Sequence, residues 1–98
     1  MSVSVVSHYR GGTPEIVTPL AERMKAAFSK HGVGFRVSRL YTGQNVGDWM
    51  VIVQYADWAD YAKAQVGIRE DPEHHEVVTE ISKIVTRISR EFVIDLDL

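Results

Sequence analysis

The sequence contains no cysteine, so it can form no disulfide framework, thiolate metal site or cysteine nucleophile, and its stability has to come from packing or association. Blocks of charge are also missing. The net charge is −2, and the eleven lysines and arginines are scattered without a basic run, which argues against nucleic acid as a partner. Nowhere do about eighteen apolar residues run together, so no membrane partner or membrane-spanning helix is expected. The N-terminal MSVSVVSHYR has neither a basic start nor a long apolar stretch after it, and a cytoplasmic protein is the expectation. No GxSxG elbow and no HExxH occur, and GGTP before the first helix lacks the lysine and spacing of a phosphate-binding loop.

What is present is the composition of an ordinary globular chain, 45% hydrophobic and 24% charged over 98 residues, which predicts one domain spanning residues 1–98. Ser2 to Tyr9 is valine-rich and loosely alternating, as expected of a strand. Gly11 and Gly12 end it. Thr13-Pro14 and Thr18-Pro19 each offer a helix start, and Leu20, Met24, Ala27, Phe28 and His31 then mark an amphipathic helix stopped by Gly32.

Val33 to Tyr41 returns to a period of two, with Phe35, Val37 and Tyr41 on one face, and TGQNVGD reads as a hairpin loop. The next strand, WMVIVQY from Trp49 to Tyr55, is apolar on both faces until Gln54. Asp57 caps a helix containing Trp58, Tyr61, Ala62, Gln65 and Val66. Asp71-Pro72 restarts a helix expected to run to about Arg87, and the closing SREFVIDLDL alternates as a last strand.

The predicted fold class is therefore α+β. It is a ferredoxin-like βαββαβ sandwich with a four-stranded antiparallel sheet, helices on one face, and the second helical connection split in two. A central strand apolar on both sides leaves apolar area on the open face, and homodimerisation through the sheet faces is the expected cover.

In element order, in the passage of a strand into an aromatic-bearing helix in VIVQYADWADYAKAQ, and in the restart DPEHHEVV, the chain resembles the dimeric α+β barrel superfamily. That superfamily includes antibiotic-biosynthesis monooxygenases, NIPSNAP-like and EthD-like proteins, muconolactone isomerase and haem-degrading monooxygenases. The resemblance covers the whole chain. It implies a homodimer with a pocket in each protomer between sheet and helices, used elsewhere for cofactor-free oxygenation of aromatic compounds, isomerisation, haem binding or no known chemistry. The haem-degrading members pair a histidine with an asparagine on the first strand and a tryptophan, whereas the one asparagine here is Asn45, in the hairpin loop.

Within REDPEHHEVV the histidines diverge. At about 100° per residue, His74 falls in the apolar sector of the helix with Val77, Val78 and Ile81, while His75 lies on a polar stripe with Thr79 and Ser82. Adjacent helical residues do not face each other, so the pair is a poor metal site, and neither a metal nor a cofactor is expected. Two readings of His74 stand: a core-edge histidine satisfied by a backbone carbonyl, or a pocket base that moves a proton. His8, Tyr41, Trp49, Trp58, Tyr61 and Val78 are the candidates to line a pocket for a small apolar or aromatic molecule. A cofactor-independent monooxygenase or isomerase is the leading expectation, with a non-catalytic binding or association module, or a haem protein, as the alternatives.

Overall fold

A computed structural model of the chain describes residues 2–96. The order is β1 (Val3–Arg10), α1 (Pro14–Ser29), β2 (Gly34–Arg39), β3 (Trp49–Tyr55), α2 (Trp58–Arg69), α3 (Pro72–Ser82) and β4 (Thr86–Ile94). The strands form one sheet in the order β2-β3-β1-β4, each pair antiparallel. This is the ferredoxin-like arrangement, α+β with the second helical connection divided between α2 and α3.

Local chemistry explains the helix starts. Pro14 opens α1 at the first of the two threonine-proline steps, with the Thr13 carbonyl accepting from Ile16 N (3.1 Å) and Val17 N (2.8 Å); Pro19 is carried inside the helix. Asp57 caps α2 by accepting from Asp60 N at 2.8 Å. Asp71 caps α3 in the same way, from Glu73 N at 3.0 Å.

Two expectations need correction. First, α3 ends at Ser82 rather than near Arg87, and β4 begins at Thr86, before Ser89. The backbone N–H groups of Ile84 and Val85 both bond the Ile81 carbonyl at 3.0 Å, closing the helix, and the β-branched run that follows pairs with β1 instead. The continuing apolar spacing of Ile81, Ile84, Val85 and Ile88 fits a helix and a turn into a strand equally well. Second, of the apolar residues of α2 it is Ala64 and Ile68 that are buried, while Ala62 and Val66, named above for this helix, are exposed. Asp97 and Leu98, expected in the last strand, lie outside the described residues.

Register fixes the two faces of the sheet. Val5 pairs with Val53 and Phe92, Ser7 with Val51 and Arg90, Tyr9 with Trp49 and Arg87, and these rows face the helices. The other face carries the row Arg36–Ile52–Val6–Glu91 and the row Ser38–Met50–His8–Ser89. No helix covers it, although Val6, Met50 and Ile52 make its centre apolar. Pairing shifts between His8 and Tyr9, so that Ile88 is an extra residue in β4, a β-bulge.

The helix layer sits mainly over β1, β2 and β3. One buried cluster joins Val5, Val33, Val53, Tyr55, Ala64 and Ile68. A second joins Val17, Trp49 and Val85, and the Trp49 indole N–H donates to the Gly11 carbonyl at 2.9 Å. Every residue of β4 is exposed.

Candidate functional site

Between the two buried clusters, under the helices, lies a cavity of about 680 Å³. The sheet supplies its floor through Ser7 and Tyr9 of β1, Phe35 and Val37 of β2, and Trp49 and Val51 of β3. Its roof comes from Met24 and Phe28 of α1, Gln65 and Ile68 of α2, and His74 and Val78 of α3. On the β4 side Thr86, Arg87 and Arg90 complete the wall, and since all three are exposed the cavity opens along that edge. The cavity is a mostly apolar recess with a few polar groups converging on it.

His74 is half-buried in this wall, its ring edge-on to Phe28 with centroids 5.1 Å apart. Its ring nitrogens have no hydrogen-bond partner among the described residues; only its backbone N–H is engaged, by Asp71. The carbonyl-satisfied histidine is instead the neighbour: His75 Nε2 donates to the Arg69 carbonyl at 2.6 Å. Burial pushes the His74 imidazole below its ordinary pKa, His75, His31 and Lys30 add to the effect, and Asp71 opposes it. At neutral pH it is therefore a free base facing the cavity.

Asp71 fixes the start of the helix that carries His74. Its side chain, 7% exposed, accepts from His31 Nε2 (2.8 Å) and Lys30 Nζ (2.9 Å), which ties the end of α1 to the first turn of α3. Those two hydrogen bonds, Lys30 first, hold its carboxyl far below the usual carboxylate range against the opposing effect of burial.

Of the residues expected to line a pocket, Trp49 and Val78 line the cavity with His74. His8 does not. It projects from the uncovered face, where Nε2 donates to Asp48 Oδ2 at 2.7 Å, and Arg10 Nη2 reaches the same oxygen at 3.0 Å. Strand parity decides this: Ser7 and Tyr9 point inward, so His8 points out. Tyr41 lies beyond β2 and is 88% exposed, outside the cavity. Trp58 and Tyr61 do not line the cavity but form an aromatic cluster with Tyr55 and Phe92, edge-to-face except for the tilted Trp58–Phe92 pair.

Sequence reasoning missed Arg87 and Arg90. Arg90 follows from alternation with Phe92, whereas Arg87, expected at the end of the third helix, reaches the cavity only because of the bulge. Among the described residues no group of three or more His, Asp or Glu side chains could hold a metal, and no helix is long and apolar enough to cross a membrane.

No protein-family model matches the sequence, and no curated protein matches it significantly. Solved structures do match in shape. SnoaB, a cofactor-independent oxygenase from Streptomyces nogalater, superposes with a TM-score of 0.72 at 17% identity, over 99% of this chain and 95% of its own. An uncharacterised NIPSNAP domain protein from Burkholderia xenovorans gives 0.78 at 15% identity, over 99% and 96%. The de novo designed protein Foldit4 gives 0.61 at 14% identity, over 98% and 100%. The chain thus has the ferredoxin-like α+β fold of SnoaB and of the NIPSNAP domain protein. A designed chain takes the same fold, so the chemistry has to be argued from the site.

Proposed function

We propose that the cavity binds a flat apolar or aromatic small molecule and that His74 removes a proton from it, as in a cofactor-independent monooxygenase or an isomerase. The observation that carries this reading is the imidazole of His74, unpartnered among the described residues and held neutral by burial, in a mostly apolar recess. Both reactions begin with one proton taken by a neutral base. In the oxygenase the resulting substrate anion itself supplies electrons to dioxygen; in the isomerase the proton returns at a different carbon. SnoaB, whose fold the chain shares, is a cofactor-independent oxygenase.

The haem reading finds no support at the site. Asn45 lies in the β2–β3 loop, where its Oδ1 accepts from Arg10 Nη2 at 3.4 Å, and it does not line the cavity. The residues do not fit the asparagine-histidine pairing of the haem-degrading proteins.

A second copy of the chain would cover the uncovered sheet face, where Val6, Met50 and Ile52 form an apolar centre between Arg36 on one edge strand and Glu91 on the other. That would be a homodimer through sheet faces, in which a two-fold axis sets this patch against its own copy.

The test is a panel of polycyclic phenols and enolisable ketones. Ligands that raise the melting temperature are followed by deuterium exchange into the substrate and by dioxygen consumption, for the wild type and His74→Gln. Exchange that depends on His74 supports the reading. Binding with exchange equal in both proteins leaves a non-catalytic binding module, and no ligand raising the melting temperature sinks the proposal.

A further inference from the structure

Two guanidinium groups stand on the wall of a cavity that is otherwise mostly apolar. Arg87 and Arg90 both line it, and among the described residues neither forms an ion pair, whereas Arg10 is paired with Asp48 and Arg23 with Glu76 and Glu80. Residues of opposite parity in a regular strand face opposite sides of the sheet, so an odd separation would put one of these arginines outside. The bulge at Ile88 cancels that alternation. With His8 opposite Ser89 and Tyr9 opposite Arg87, the extra residue turns Arg87 to the face that Arg90 already occupies.

Ile88 is 46% exposed, like the rest of β4, and Arg90 lies against the Phe92 ring with its guanidinium carbon 5.2 Å from the ring centroid. The Arg90 charge also reaches the Tyr55 hydroxyl on the cavity wall, partly offsetting the upward push that burial gives that phenol. A bulge that brings two cations with no ion-pair partner among the described residues to one largely apolar opening suits a negative group.

We infer that Arg87 and Arg90 form a binding site for a carboxylate carried by the cavity's ligand, so that the ligand class is a flat aromatic acid. Its ring system lies over Val37 and Val51 and its carboxylate sits at the β4 edge. Guanidinium suits this role because its planar donor fork matches two carboxylate oxygens and stays charged at any working pH. The inference rests on the cavity being a ligand site, as proposed above, and adds which end of the ligand goes where.

The experiment compares 2-naphthoate with its uncharged isostere 2-naphthamide on the purified protein, by isothermal titration at low and moderate salt. The expected result is tighter binding of the naphthoate by about fivefold to tenfold, a preference that shrinks as salt rises because both arginines are exposed. Replacing the pair together, Arg87→Gln with Arg90→Gln, should abolish the preference while leaving naphthamide binding intact, which also reports that the variant is folded. Should that variant not fold, Arg87→Lys and Arg90→Lys singly keep the charge but lose the fork, and each should weaken naphthoate alone. Equal binding of acid and amide by the wild type, or a preference that survives the double replacement, overturns the arginine site and leaves the cavity reading standing. Failure of both compounds to bind overturns the cavity reading and this inference with it.

Discussion

His31 and Asp71, forty residues apart, meet through a 2.8 Å hydrogen bond from Nε2 of the imidazole to Oδ2 of the carboxylate. The contact fastens the end of α1 to the residue that caps α3, three positions before His74. Lys30 Nζ closes on the same oxygen at 2.9 Å. The orientation of the proposed base therefore depends on a carboxylate that does not touch the cavity.

Replacing Asp71 by alanine should cost more than an ordinary cap, because it also leaves His31 without its acceptor in a partly buried position. A fall in Tm of about 5 °C or more is expected by thermal denaturation. The pH dependence has a definite sign. A carboxylate held below its usual range contributes stability above about pH 3.9 that is lost as the pH falls further, so wild type and Asp71→Asn should differ most near neutrality and converge in acid.

Gly67 gives a prediction whose sign reverses with its neighbour. Helical Gly→Ala changes ordinarily stabilise by up to about 1 kcal/mol. Here an added Cβ would come within 2.7 Å of His31 Nδ1, and His31 cannot swing aside without leaving Asp71. Gly67→Ala should lower Tm in the wild type and raise it by a few degrees in a His31→Ser background, a double-mutant cycle read by calorimetry.

For His74, NMR titration of the ring should give a pKa below the ordinary value of about 6.5. Because the folded state holds this imidazole neutral, the associated stability is present above about pH 6.5 and is lost as pH falls through the lower folded value. The urea midpoint of the wild type should therefore fall more steeply on acidification below pH 6.5 than that of His74→Leu. Equal slopes would contradict the burial argument.

The proposed dimer can be tested by exchanging charges. If a two-fold axis runs along the strands, the row Arg36–Ile52–Val6–Glu91 lies on its own reversed copy, bringing Arg36 of one protomer to Glu91 of the other. Arg36→Glu should weaken association by about tenfold in sedimentation equilibrium, and adding Glu91→Arg should restore it. A monomeric wild type would dispose of the interface.

Much of the fold was legible because alternation, apolar periodicity and caps are local signals. Thr13-Pro14, Asp57 and Asp71-Pro72 each start a helix where the sequence places one. Part of the cavity wall was legible too: His74 and Val78 follow from helical geometry alone, and Trp49 from the strand that it opens. His8 failed because the inward face of β1 is set by its partners, and Arg87 failed because a bulge exists only relative to the strand opposite. The end of α3 was misplaced for a related reason, since isoleucine and valine at three and four residue spacing suit either outcome until β1 offers them a ladder.

The bulge at Ile88 has one more consequence, for the comparison of sequences. Two relatives that differ by one residue in β4 can carry the same arginines in the same order and yet present them to opposite sides of the sheet. An ungapped alignment would match a cavity residue in one with an outer-face residue in the other. Whether a relative keeps the cationic edge is therefore decided by the length of its β4 between Thr86 and Arg90, before the identity of any side chain there is considered.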